Sequence, residues 1–188
     1  MALTTGERIY ELNRRSDRPH DETLLAGVDA LCKRARVKPN GLDAIAAASG
    51  PGRFTGIRIG MAYAAVAAWR MKIPALAITR LEAAAYKIQQ RLFCVALSGY
   101  REERQYQLFR RAGARLLSAS APCWVDAASW PKAKSAMEKT GVVVHEPEIF
   151  AADLLAPASD HLKRSRKPRF EPLYLKPAGY EKRRLGNV

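Results

Sequence analysis

The stretch Ser49–Trp69, SGPGRFTGIRIGMAYAAVAAW, constrains this chain more than any other. Gly50-Pro51-Gly52 imposes a sharp reversal, because glycine reaches backbone angles that other residues resist and proline fixes φ. Thr55 follows at the expected N-cap of a long apolar helix, Thr55–Trp69. Leu42–Ala48 (LDAIAAA), just ahead of the turn, reads as a short buried strand. Strand, glycine-rich turn and helix in that order make an α/β unit whose turn aims N–H groups where an anion could sit. No lysine follows at P-loop spacing and no GxGxxG is present, so the turn reads as a strand-to-helix connection rather than a phosphate cradle.

The helix behind the turn is the more informative half. Gly56, Gly60, Ala64 and Ala68 recur every fourth residue and form a ridge of small side chains, with Ile59, Tyr63, Val66 and Trp69 offset from it. A helix that is apolar nearly all round must be covered on more than one side. Two coverings fit: the amphipathic helix Asp21–Arg36 packs over the rest of it, or the two helices together, with Leu24, Val28 and Leu31 contributing, form a helical interface to another chain, the reading that the family resemblance described below favours.

On both sides the chain alternates strand and helix patterns. Ala2–Asn13 reads as a hairpin turning at Thr4-Thr5-Gly6, and Pro39-Asn40-Gly41 stops the first helix. Ala75–Ile78 reads as a strand, and Thr79-Arg80-Leu81-Glu82 as a capping box for a helix whose apolar face runs from Leu81 to Leu92. Phe93–Ser98, Gln105–Arg110, Arg115–Ser118, Pro122–Val125, Gly141–His145 and Leu173–Leu175 read as strands. Asp126 is the expected cap of a helix to Lys139, and Ile149–Leu155 and Ala158–Lys163 are short helical pieces interrupted by Pro157. The fold class is therefore α/β, in two small lobes: residues 1–90, carrying the partner-binding helices, and a smaller lobe, 91–188, with a basic tail.

Charge and chemistry narrow the function. The chain of 188 residues carries a formal net charge of +14, and His161–Val188 holds nine Lys or Arg against two Glu. Lys163, Arg164, Arg166, Lys167, Arg169, Lys182, Arg183 and Arg184 are the candidate RNA-binding residues, interleaved with aromatics that can stack on bases. The other reading of this stretch is a solvated tail. The cysteines at 32, 94 and 123 form no CxxC or Cys/His cluster, so no metal or cofactor is expected and a cytoplasmic setting fits. The longest apolar run, Ile59–Trp69, is too short to span a bilayer. His20, His145 and His161 have no carboxylate or cysteine partner at a recognisable spacing, GxSxG is absent, and Glu102 and Glu103 read as a solvated turn. No residue is nominated as catalytic.

Gly50-Pro51-Gly52-Arg53-Phe54-Thr55-Gly56-Ile57-Arg58-Ile59-Gly60 closely resembles the GPGSFTGLRIG signature of the TsaB (YeaZ) family. His20 with its helix, Lys72–Ala85 (KIPALAITRLEAAA), Leu97–Phe109 and Pro172–Lys176 (PLYLK) resemble further family segments in the same order. The resemblance implies an actin/sugar-kinase-like (ASKHA) fold in the Gcp/M22 glycoprotease-like group. It also implies a non-catalytic subunit of the machinery that makes threonylcarbamoyladenosine in tRNA. Such a subunit pairs with a TsaD-like transferase, or with itself, through helices 21–36 and 55–70. A TsaE-like ATPase joins the larger complex, and tRNA contact falls to the basic surface. Four departures stand out: the sequence begins past the family's first strand, as expected of a rearranged sheet, a start site placed too late or a remnant protein; Arg53 replaces a serine; Ser98-Gly99-Tyr100 replaces Asp-Ala-Arg; and the second lobe is short. The alternatives are an actin-like nucleotide-binding enzyme and a stand-alone RNA-binding module derived from this fold.

Overall fold

The structure, a computed structural model, describes residues 1–6, 8–13, 20–164 and 170–175. Its described residues divide into two units: Met1–Ala83 with Ile149–Pro172, and Ala84–Glu148 with residues 173–175.

The first unit opens with an antiparallel hairpin, β1 (Ala2–Thr5) and β2 (Arg8–Glu11), in register Ala2 to Glu11 and Thr5 to Arg8. The Met1 amino group donates to the Leu12 carbonyl at 2.9 Å, and the Leu12 N–H returns a bond to the Met1 carbonyl at 2.8 Å. Helix α1 (His20–Ala35) lies against the hairpin, and the Met1 side chain covers the bare face of Gly27. Its end is closed by Arg36 in the left-handed region (φ 55°) and by the Val37 N–H donating to the Cys32 carbonyl at 3.0 Å.

A parallel pair follows. β3 (Ile45–Gly50) and β4 (Ala75–Thr79) run in register Ile45 to Ala75 through Ala48 to Ile78, joined by α2 (Phe54–Met71). A parallel pair needs such a crossover, and the helix it supplies covers one face of the sheet. Period-two alternation decides what each face meets. Ala77 joins Ala47, Ile57, Met61 and Ala64 in one cluster with α2. Leu76 and Ile78 point the other way, into a cluster with Leu154 and Ala158. Leu154 ends a short 3-10 turn, Ala151–Leu154, that leads into α5 (Leu155–Lys163). This packing draws Ile149–Pro172 back to the first unit, whereas the sequence reading assigned it to a second lobe beginning at residue 91.

The short helix α3 (Arg80–Tyr86) leads to the second unit. There β5 (Leu92–Ser98) is the buried centre, with Phe93, Cys94, Val95 and Ala96 fully buried. β6 (Arg104–Ala112) pairs with it antiparallel, and β9 (Val143–His145) pairs with it parallel. β7 (Arg115–Ser118) and β8 (Cys123–Val125) both add to β6, and α4 (Trp130–Lys139) precedes β9. Phe93 stacks on Phe109 with ring centroids 6.0 Å apart.

Several local expectations are corrected. α2 starts at Phe54 with Arg53 as its N-cap, so Thr55 lies inside the helix. The strand expected over 42–48 runs from Ile45 to Gly50, where a φ of 117° requires glycine. Asp126 caps from one turn ahead, accepting the Ser129 N–H at 2.7 Å, and the helix proper begins at Trp130. α3 stops at Tyr86, leaving Leu92 exposed on a strand. Pro157 does not interrupt α5, because it falls in the first turn, where its missing N–H has no carbonyl to bond. Leu173–Leu175 is not a strand.

Candidate functional site

Helix α2 divides its surface sharply. Ile57, Met61, Ala64 and Ala68 are spaced by four, three and four residues and are all buried, Ala64 to 1% exposure. Ile57, Met61 and Ala64 pack on a sheet that meets them with alanines at 47 and 77, so Ala64 lets helix and sheet approach closely. The opposite side is open: Val66 is 65% and Trp69 79% exposed, and Leu25 of α1 is 66% exposed. The ridge expected to face another chain is therefore corrected in part. Leu31, Ala64 and Ala68 belong to this chain's own interior. Small residues every fourth position allow close approach, but a sheet satisfies that geometry as well as a second helix does.

Seven of the expected interface residues meet at one place. Leu24, Val28, Leu31, Gly56, Gly60, Tyr63 and Ala64 all line a cavity of about 920 Å3 within the first unit; Ala68 does not. Its other walls include Met1–Gly6, Asp43 and Ala44 with the β3 residues Ile45–Ala48, Arg53, Arg80, Ile149–Ala151, Leu154, Leu155 and Ala158. A Cβ added at Gly56 or Gly60 would meet no atom within 4 Å.

The glycine turn beside this cavity is braced by a cation. Arg80 Nη1 donates to the Pro51 carbonyl at 3.1 Å, and burial pulls the Arg80 pKa down from its ordinary value. Arg58 lies over the Phe54 ring at 3.7 Å, a cation–π contact. The turn thus presents a carbonyl to an arginine on one side.

Three polar pairings lie beyond what local sequence spacing reveals. Glu82 does not complete a capping box: its backbone N–H donates to Thr79 Oγ1 at 2.9 Å, but its carboxylate bonds His161 Nε2 at 2.8 Å. His161 is 6% exposed and its Nδ1 has no partner among the described residues. The pair ties α5 to the start of α3 across 79 residues, a separation that no local spacing rule can detect. Glu103 is buried, not solvated, and accepts the Trp124 indole N–H at 2.8 Å. His145 bonds Gln90 Oε1 at 2.7 Å. No cluster of three metal-ligating side chains occurs among the described residues.

Of the expected RNA-binding residues, Lys163 ends α5 and Arg164 follows it, its Nε donating to Asp160 Oδ1 at 2.6 Å. Arg166, Lys167, Arg169, Lys182, Arg183 and Arg184 lie outside the described residues. No helix among the described residues is long and apolar enough to cross a membrane.

Comparison with known proteins agrees with this architecture. A family model described as "TsaD: tRNA N6-adenosine threonylcarbamoyltransferase" matches residues 13–154. The chain is 32% identical over 68 residues to the tRNA N6-adenosine threonylcarbamoyltransferase of Chlorobium phaeovibrioides, covering 36% of this chain and 20% of that protein. It is 32% identical over 91 residues to the tRNA threonylcarbamoyladenosine biosynthesis protein TsaB of Haemophilus influenzae, covering 47% of this chain and 38% of that protein. The chain thus spans well under half the length of these curated relatives. The crystal structure of an uncharacterized protein with similarity to peptidase YeaZ from Pseudomonas aeruginosa superposes with a TM-score of 0.71 at 24% identity, covering 93% of each chain. YeaZ from Pseudomonas aeruginosa gives the same TM-score and identity, covering 93% of this chain and 92% of that one, so the fold is the two-lobed actin-like one. With its central strand–turn–helix inside the matched region, the chain belongs to the TsaD family and has the fold of YeaZ.

Proposed function

We propose that this chain is a non-catalytic, TsaB-like subunit that acts in tRNA threonylcarbamoyladenosine formation by pairing with a TsaD-type transferase. The observation that carries the reading is the uncovered apolar side of α2, where Val66 and Trp69 stand out, with Leu25 exposed on α1. Val66 and Trp69 are neighbours at i, i+3 on the helix surface, and aromatic anchors dominate the energetics of protein interfaces. The relatives support the choice of partner: one is a TsaB protein and several are transferases. In this reading a TsaE-like ATPase joins the larger complex in the cytoplasm, and the basic segment from Lys163 onward contributes to holding tRNA.

The test is co-expression of the chain with the TsaD-type protein of the same genome, followed by mass determination of the purified species. A heteromer that gains threonylcarbamoyl transfer to tRNA, absent from either chain alone, is the expected result. Failure to co-purify, or transfer by the TsaD-type protein at an unchanged rate without this chain, would overturn the reading. A homodimer with no transferase bound would favour self-pairing through the same helices.

A further inference from the structure

The second unit carries its positive charge at one end of its sheet, and the pairing register shows which. Leu92 of β5 stands opposite Arg110 of β6, Arg110 opposite Leu117 of β7, and Ala112 opposite Arg115. Opposed residues on antiparallel strands share a face, so Arg110 and Arg115 lie on the same side as diagonal neighbours, about 7–8 Å apart. Arg91 precedes β5 at this end, and its carbonyl accepts the Arg111 N–H at 2.9 Å. Arg111 itself alternates to the other face and donates to the carbonyls of Tyr86 and Ile88. Arg91, Arg110 and Arg115 are exposed, and among the described residues none of the three makes a side-chain hydrogen bond, ion pair or ring contact.

The end of the sheet built by residues 84–94, 108–118 and 136–144 holds Lys87, Arg91, Arg110, Arg111, Arg115 and Lys139 against Glu138 alone. The close of α4 belongs to it because β9, which follows, begins opposite Phe93. The other acids of the unit gather at the far end, where β5, β8 and β9 finish and β6 starts: Glu102, Glu103, Asp126, Glu146 and Glu148. Cations meet them there, Glu146 bonding both Arg104 and Lys134. Like charges side by side on a sheet destabilise it, so the unpaired arginines oppose folding and await a counter-charge from outside. From this segregation we infer that the end of the second unit marked by Arg91, Arg110 and Arg115 binds the sugar–phosphate backbone of a folded RNA. Guanidinium forks take phosphate oxygens in pairs. Interfaces with nucleic acid are more polar and more positive than those between proteins, which centre on desolvated aromatic anchors. Phe93 and Phe109, the rings of these strands, are buried. Without an exposed aromatic to stack on a base, the contact is to phosphate and carries no sequence preference. That the RNA is a tRNA rests on the function proposed above, and the relatives named for tRNA modification support it. The site uses none of the basic segment from Lys163 onward.

Binding of an unmodified tRNA transcript is measured on the full chain, and on its co-expressed heteromer with the TsaD-type protein, across about 50–200 mM salt. Arg110→Gln and Arg115→Gln each weaken binding roughly three- to tenfold and each lower the steepness of log affinity against log salt by about one. The loss is the same on an unrelated folded RNA. Both positions are exposed, so the thermal midpoint holds or rises as like-charge repulsion is relieved. Lys132→Gln removes an exposed charge near the start of α4, at the far end, and is the control. Unchanged affinity and slope in the double variant Arg110→Gln, Arg115→Gln would overturn the proposal while leaving tRNA contact through the segment after Lys163 standing. An equal loss in Lys132→Gln would reduce the effect to net charge and overturn it as well. So would a preference for polyglutamate over RNA, which would make the surface a dock for an acidic protein. No tRNA binding by the chain or the heteromer would end this proposal and the tRNA contact of the wider reading together. A chain that binds tRNA through these arginines yet never pairs with the TsaD-type protein would uphold this site and end that reading.

Discussion

Replacing Trp69 by alanine separates folding from partner binding. The indole is 79% exposed, so its truncation leaves little new cavity inside the chain, and the free energy of unfolding should stay within the range of ordinary surface changes, about ±0.5 kcal/mol. A tryptophan can bury roughly 150–250 Å2. Most of that area remains available here, and about 25 cal/mol per Å2 converts it to roughly 3–5 kcal/mol of gross gain on docking. Ordering the side chain offsets about 1 kcal/mol of this. The net loss on Trp69→Ala is then about 2–4 kcal/mol, or roughly 30- to 1,000-fold in Kd for the TsaD-type partner. Titration calorimetry on the purified chains measures it, with circular dichroism confirming an unchanged fold. Ala64→Glu is the contrasting variant: Ala64 is 1% exposed, so a buried, unpaired carboxylate unfolds the first unit rather than only breaking a complex. A Trp69→Ala protein that binds within threefold of the parent would refute the placement of the partner on this face.

Three further outcomes follow from interactions in the second unit. Arg111 donates to the Ile88 carbonyl at 2.6 Å and the Tyr86 carbonyl at 2.9 Å, closing the end of α3. Arg111→Met should cost about 2 kcal/mol and lower the melting midpoint by about 4–8 °C, with Arg111→Lys recovering only part; a shift under about 1 °C would refute the bracing role. Glu146 is held below the ordinary carboxylate pKa, chiefly by the bond it accepts from Lys134 at 2.8 Å and, against an opposing effect of burial, by Arg104 at 3.1 Å. A depressed folded pKa contributes stability above the unfolded value of about 4.3 and loses it as pH falls through the folded value. Acid titration of Glu146→Gln should therefore show a shallower loss below about pH 4.3 than the parent; superimposable curves would exclude the contribution. Burial pushes the Cys94 thiol up to about 12, so iodoacetamide at pH 8 should modify the partly exposed Cys123 in the native protein and leave Cys94 and Cys32 until denaturant is added. Native-state labelling of Cys94 at the Cys123 rate would mean that β5 is not the sealed centre of its sheet.

Local chemistry made much of this protein legible. The apolar period of residues 21–36, the Gly50-Pro51-Gly52 turn and the uncharged run of 93–98 each specify an element without reference to the rest of the chain, and α1, α2 and β5 stand where they direct. Those signals act over a turn or a strand, where backbone sterics and side-chain spacing are enough. What covers each face depended on residues far away in sequence. The small ridge of α2 marks close packing, but only the sheet beneath it decided that Ala64 and Ala68 turn inward and that Val66 and Trp69 remain outside. Glu82 carries the local pattern of a capping residue, yet a buried histidine 79 positions later offered a partner in a less solvated site. Ile149–Pro172 rejoins the first unit because Leu154 and Ala158 find their apolar partners on β4. Periodicity specifies that a face must be buried, whereas the identity of its cover is set by the long-range contacts that compete for it.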